Sequence, residues 1–218
     1  MSGPCVLVLG GSFDPVHLGH VGLAHYFCTL LRPDVLRLIP AGQPWQKPAL
    51  TTAAAHRVAM LQRAFTQCAV PVLVDTQEIQ RQGPGYTVDT LRALREELGA
   101  NGSLVLLLGA DQLQNLSTWH QWQRLFDYAN LCVATRPGFS PARGADSDAV
   151  RSEFTRRAAT ADQIRATPHG LSYIASNLAL DVSATAIRQA LQQDQPVAEW
   201  LPASVLDYIQ QHHLYKAH

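Results

Sequence analysis

A short apolar run, Val6-Leu7-Val8-Leu9, passes without a break into Gly10-Gly11-Ser12-Phe13-Asp14-Pro15-Val16-His17-Leu18-Gly19-His20, and a helical pattern begins near His17. A glycine turn between a strand and a helix is common, but the joint pattern of eleven positions in that setting is hard to obtain by chance. Such a turn sets backbone N–H groups and a helix N-terminus beyond the strand's end, where an anionic phosphate is the favoured ligand. His17 and His20 share one face of the first helical turn. Each ring can donate hydrogen bonds to phosphoryl oxygens, neutral or charged. No GK[ST] follows the glycines and no GxGxxG is present, so neither the kinase phosphate loop nor the dinucleotide fingerprint is written here. The turn suits a nucleotide triphosphate held without hydride or kinase apparatus.

The rest of the chain alternates. Strand patterns at Cys5–Leu9, Val35–Pro40, Val70–Asp75, Leu104–Leu108, Leu131–Thr135 and Ser172–Leu178 are interleaved with helical ones. The helices are read at His17–Leu31, Ala53–Thr66 (capped by Thr51 or Thr52), Thr87–Leu98 (closed by Gly99) and Trp119–Tyr128, and finally at Ser183–Gln192 and Val205–His212. The continuous apolar run Leu104–Leu108 is the mark of a strand buried on both faces. Alternation of this kind predicts a parallel sheet covered by helices on both sides. Residues 141–167, polar and rich in Ala, Asp and Arg, read as a surface insertion, partly helical.

At 218 residues, the chain is large enough for one domain with a small appendage. Lys+Arg and Asp+Glu both number 17, a balance that argues against nucleic-acid and membrane-surface partners. Cys5, Cys28, Cys68 and Cys132 form no CxxC pair, and three of them sit in apolar periodic segments and read as small core residues in a reducing compartment. With no leader pattern and no membrane-length apolar run, a cytoplasmic location is expected. Composition leaves a homo-oligomer open.

Three further segments carry chemistry. Asp181-Val182-Ser183-Ala184-Thr185-Ala186-Ile187-Arg188 makes a second helix start, with Ser183 as cap, Thr185 in the first turn and the Arg188 guanidinium one turn on. Alone, it reads better as an ordinary capped amphipathic helix with a surface arginine. Leu108-Gly109-Ala110-Asp111 ends the most buried strand, where ligands of open α/β sheets collect. Asp111 is a candidate for ribose hydroxyls or for a helix cap. Gly83-Pro84-Gly85-Tyr86-Thr87-Val88-Asp89-Thr90-Leu91 turns into a helix behind Asp75, Glu78 and Arg81, and Trp119 and Trp122 sit three apart, as core or as a ring-stacking pair.

Taken together these segments resemble the nucleotidylyltransferase superfamily, whose (H/T)xGH element is His17-Leu18-Gly19-His20 and whose ISxTxxR element is Val182-Ser183-Ala184-Thr185-Ala186-Ile187-Arg188. The Asp75, Glu78, Arg81, Tyr86–Leu91 block and the Gly109–Trp122 block are similar to the bacterial nicotinate mononucleotide adenylyltransferases. The likeness runs from Cys5 to about Pro137 and resumes near Asp181. Pro44-Trp45-Gln46-Lys47 stands where the family has PPHK, and Gly85 replaces the serine of SYT. Phosphopantetheine adenylyltransferases and cytidylyltransferases share the first motif but lack the Tyr86-Thr87 and Trp119–Trp122 blocks. A regulatory nucleotide-binding module is a second alternative, against which intact His17, His20 and Arg188 speak.

The resemblance implies a Rossmann-like α/β domain over residues 1–180 and a small C-terminal helical subdomain, 181–218, that carries the second phosphate motif. It implies adenylyl transfer from ATP to nicotinate mononucleotide, giving nicotinate adenine dinucleotide and pyrophosphate, with Mg²⁺ accompanying ATP. His17, His20, Arg188 and Lys47 are then the catalytic set. Gly10, Gly11, Ser12, Phe13, Gly109, Asp111, Ser183 and Thr185 complete the ATP site. Tyr86, Thr87, Val88, Trp119 and His120 bind the mononucleotide, with the nicotinate ring on Trp119. Its carboxylate is expected between two helix N-termini, at Thr87 and His120.

Overall fold

The computed structural model describes residues 3–42, 50, 52–135, 147–176 and 182–216. Its six strands form one parallel sheet in the order β3-β2-β1-β4-β5-β6. They are β1 Cys5–Gly11, β2 Val35–Pro40, β3 Val72–Val74, β4 Ser103–Gly109, β5 Asn130–Ala134 and β6 Ser172–Ala175. The chain runs outward from β1 through β2 to β3, then returns to place β4 on the other side of β1. The crevice beyond the carboxyl ends of β1 and β4 is therefore the topological switch point.

Period-two alternation divides the core into two layers. Leu7 and Leu9 of β1 and Val105 and Leu107 of β4 face one layer, against Leu23, Phe27 and Leu31 of helix α1 (Leu18–Leu31) and Met60 and Leu61 of α2 (Ala54–Ala64). Val6, Val8, Leu104, Leu106 and Leu108 face the other, where they meet Val88, Leu91 and Leu94. Those three belong to α4 (Thr87–Leu98), which follows the single turn α3 (Gln77–Gln80). Gly99 closes α4 with a φ of 77°, in the region that favours glycine. The expected threonine cap on α2 is not used: its N-cap is Ala53, and no side chain accepts from the first turn.

Two further expectations differ from the structure. The helix expected over Trp119–Tyr128 does not form as one piece. Leu116–Thr118 and Trp122–Arg124 are separate 3₁₀ turns and Leu125–Tyr128 a single α turn, α6, with Gln121 at a φ of 51° between them. Trp119 and Trp122 therefore do not share a helix face. A short helix, α5 (Ala110–Gln114), also starts directly at the end of β4.

The second difference lies in 147–167, read from composition as a surface insertion. Its described part is the crossover that two neighbouring parallel strands require between β5 and β6. Val150 and Phe154 of α7 (Ser147–Arg156) enter the second layer, and Ile164 of α8 (Ala161–Ala166) enters the first. Fully buried Asn130 fastens the crossover to the sheet. Its amide donates to Ile164 O at 3.2 Å and Thr167 O at 2.7 Å, and its carbonyl oxygen accepts from Leu171 N–H at 2.9 Å. Removing the amide strands buried backbone groups, so Asn130→Ala is expected to cost roughly 2–4 kcal/mol in urea unfolding. A loss below about 1 kcal/mol would show that these groups find other partners.

Helices α9 (Ala184–Gln192) and α10 (Ala203–Gln211) complete the chain. Ile187, Ala190, Val205, Tyr208 and Ile209 pack into the same layer as α1 and α2. Among the described residues no helix is long and apolar enough to cross a membrane.

Candidate active site

At the switch point both central strands end in glycine. A Cβ built on Gly109 meets nothing within 4 Å, and one on Gly10 only Ile39 O at 4.0 Å. Gly109 has an ordinary φ of −78°. Neither packing nor backbone conformation demands glycine at 109. What its bareness provides is open space over the sheet.

The turn after β1 is held rigidly. Phe13 is fully buried with a φ of 48°, an uncommon conformation for a bulky residue that the surrounding packing must enforce. The peptide Asp14–Pro15 is cis. Arg57, 2 % exposed, sends Nη1 to Ser12 O at 2.8 Å. It stands on α2 beside the core residues Met60 and Leu61, and a cation at apolar spacing was the one sequence signal for it.

His17 is the N-cap of α1 and nearly buried, and its Nδ1 has no hydrogen-bond partner within the protein. Burial lowers its pKa to about 4, so the ring is neutral near pH 7. His20 stacks on it with ring centroids 3.7 Å apart, and turns an edge toward Phe13 at 5.0 Å. His20 Nδ1 accepts from the His17 backbone N–H at 3.2 Å, which assigns the proton of the neutral ring to Nε2. The N–H of Leu18 donates to Trp200 O at 2.9 Å. Two backbone donors of the helix start are thus already engaged within the protein.

The depressed His17 pKa has a consequence for folding. Between pH 6.5 and about 4 the unfolded chain takes up a proton that the folded ring refuses. Stability should fall as the pH drops through this window, by up to about 3 kcal/mol. Urea unfolding at pH 7 and pH 4.5 should show a smaller loss in His17→Gln than in the parent. Equal losses would contradict the buried neutral ring.

The segment around Ser183–Arg188 arrives from the far end of the chain. Ser183 caps α9, its Oγ accepting from Ala186 N–H at 3.1 Å. Arg188 Nη1 donates to Asp14 O at 2.7 Å, while Nη2 reaches Thr185 Oγ1 at 3.4 Å. Two motifs separated by 174 positions are thereby joined at one turn.

The two remaining blocks also meet. The rings of Tyr86 and His120 stack with centroids 4.3 Å apart. Tyr86 is the N-cap of α4, which makes Thr87 its first residue, with an N–H outside the helical ladder. The Val88 side chain is buried in the core and leaves only its backbone for a ligand. Trp119 is half-buried against the second layer, and its Nε1 is buried without a hydrogen-bond partner. His120 precedes a 3₁₀ turn rather than an α-helix, so one helix N-terminus faces this side and not two. Asp111 is exposed at the second position of α5, whose cap position is Gly109.

Behind this turn Thr90, 2 % exposed, donates its hydroxyl to Glu78 Oε1 at 2.7 Å and accepts from Arg81 Nη1 at 3.1 Å. Burial raises the Glu78 pKa, against the pull of Thr90 and Arg81. Gly42 lies so close to the same element that a Cβ there would come within 2.1 Å of Glu78 O. Lys47, Trp45 and Gln46 lie outside the described residues. Among the described residues no group of three or more His, Cys, Asp or Glu side chains converges as a metal site.

Residues 8–190 match the cytidylyltransferase-like family model. A probable nicotinate-nucleotide adenylyltransferase of Herminiimonas arsenicoxydans is 57% identical over 98% of this chain and 97% of its own length. One of Dechloromonas aromatica is 42% identical over 99% of both chains. The fold is similar to that of Plasmodium falciparum nicotinic acid mononucleotide adenylyltransferase complexed with NaAD, with a TM-score of 0.72 at 17% identity over 97% of each chain. With the alternating sheet, the family model and full-length relatives in agreement, the chain belongs to the cytidylyltransferase-like family and, within it, to the nicotinate-nucleotide adenylyltransferases.

Proposed function

We propose that this chain transfers the adenylyl group of ATP to the 5′-phosphate of nicotinate mononucleotide, releasing pyrophosphate. The observation that carries the reading is the contact of Arg188 with Asp14 O, which joins both phosphate motifs at the switch point. A phosphate oxygen of the mononucleotide attacks the α-phosphorus of ATP as the bond to the β-phosphate oxygen breaks. No covalent enzyme intermediate is needed, and the protein supplies position and charge.

In this reading His17 and His20 donate to the triphosphate, Arg188 holds its outer phosphates, and Lys47 adds charge. Ser183, Thr185 and the backbone of Gly10–Phe13 surround the nucleotide, with Gly109 and Asp111 on the ribose side. Tyr86, Thr87, Val88, Trp119 and His120 receive the mononucleotide. Mg²⁺ enters with ATP as part of the substrate, since it keeps most of its water shell and needs few protein ligands. The substrates are small molecules, the expected compartment is the cytoplasm, and the C-terminal helices act as the unit carrying the second motif.

The open space at Gly109 gives a prediction with two opposite signs. Gly109→Ala should leave stability unchanged or raise it by about 0.5 kcal/mol, because its backbone is compatible with alanine. The added methyl should meanwhile raise KM for ATP several-fold by filling the cleft. Thermal melting and steady-state kinetics check the two halves. The proposal itself is tested by incubating the protein with ATP labelled at the α-phosphorus and nicotinate mononucleotide. Label should appear in the dinucleotide. Label recovered only in AMP would mean hydrolysis and contradict the assignment.

A further inference from the structure

The C-terminal tail reaches the nucleotide turn, although none of its residues belongs to a phosphate motif. Helix α10 ends at His212 with His213 at a φ of 51°. His213 N–H bonds to Gln210 O at 3.3 Å and Leu214 N–H to Ile209 O at 3.0 Å. That pair of bonds is a Schellman close, with a left-handed residue just past the cap. It reverses the chain and sets Leu214 against the core. Tyr215 follows with a φ of 63°, rare for a bulky side chain and held only where contacts enforce it.

The contact that holds it is specific. Tyr215 Oη donates to Asp14 Oδ1 at 2.6 Å across 201 positions. Asp14 is 3 % exposed, and a carboxylate so deeply buried needs donors. Burial and that carboxylate raise the phenol pKa, so Tyr215 remains a donor throughout the working pH range. The same turn is gripped at Asp14 O by Arg188, at Ser12 O by Arg57 and at Leu18 N–H by Trp200. Of these anchors, the tyrosine is the one that hydrogen-bonds to the Asp14 side chain.

We propose that Tyr215 is a positioning residue: its hydroxyl fixes the buried Asp14 carboxylate and so keeps residues 12–20 in the arrangement that presents His17 and His20. It touches no reacting atom. Its effect belongs to the transition state, because a loosened turn still binds ATP through other groups but misplaces the two donors. The inference rests on the adenylyltransferase reading of this turn.

Tyr215→Phe tests it, since the change removes one oxygen and keeps the ring. Turnover should fall about tenfold, the scale of one hydrogen bond to a charged group. KM for ATP should change less than kcat, and the thermal midpoint should fall by only a few degrees, as the loss of one buried donor requires. Hydrogen exchange over residues 10–20 should speed up. In an Asp14→Ala background the same substitution should add no further loss, because the partner is already gone. Unchanged turnover overturns the proposal, whether or not exchange quickens. Losses that simply add in the double variant overturn it as well. Should the parent itself lack adenylyl transfer, the functional reading fails separately. Exchange then still decides whether Tyr215 holds the turn: faster exchange supports the contact, and unaltered exchange removes it.

Discussion

Replacing His20 by alanine should lower kcat by about 10²-fold or more, the scale of losing one preorganised donor. The ring is clamped between His17 and Phe13, and its Nδ1 is engaged by the His17 backbone N–H. That bond places the proton on Nε2 in the neutral ring, so the ring can donate without needing a positive charge. A donor fixed before reaction gains most when charge develops on the transferring phosphoryl group. The KM for ATP should therefore move less than kcat. Near-parental kcat in His20→Ala would remove the residue from the chemistry.

Turnover with nicotinate mononucleotide should exceed that with its amide counterpart by roughly 10–100-fold in kcat/KM, the value of one buried donor left unpaired. The argument rests on Thr87 as the first residue of α4, a twelve-residue helix whose N-terminus favours a carboxylate. An amide would turn an NH₂ toward that donor. The geometry supports a smaller preference than two converging helix starts would, since His120 stands before a 3₁₀ turn. Stacking on Trp119 should not separate the two rings. Trp119→Ala should weaken both substrates while keeping their ratio within about tenfold. Equal kcat/KM for acid and amide in the parent would sink this account of specificity and leave adenylyl transfer standing.

Much of the fold was legible because its signals are local. Strand β2 and helix α4 have the boundaries that periodicity and the closing Gly99 predict. Pattern failed where tertiary contacts decide. The segment 116–128 has helical composition, yet the left-handed turn at Gln121 breaks it. The crossover over 147–167 hides three core residues, Val150, Phe154 and Ile164, among many charges, and its anchor Asn130 stands outside it on β5. At the site, each motif was readable as a segment, and the resemblance to a family joined them. What could not be read was the frame around the first motif. Arg57, Trp200 and Tyr215 grip the turn from 45 to 201 positions away, and nothing local in those stretches records the partner.

The most direct measurement is pyrophosphate release from ATP with nicotinate mononucleotide, its amide counterpart and phosphopantetheine, each run separately with the parent protein. The account predicts the highest kcat/KM with nicotinate mononucleotide, a reduced value with the amide and none with phosphopantetheine. Release that is fastest with phosphopantetheine, or equally slow with every acceptor, would contradict it.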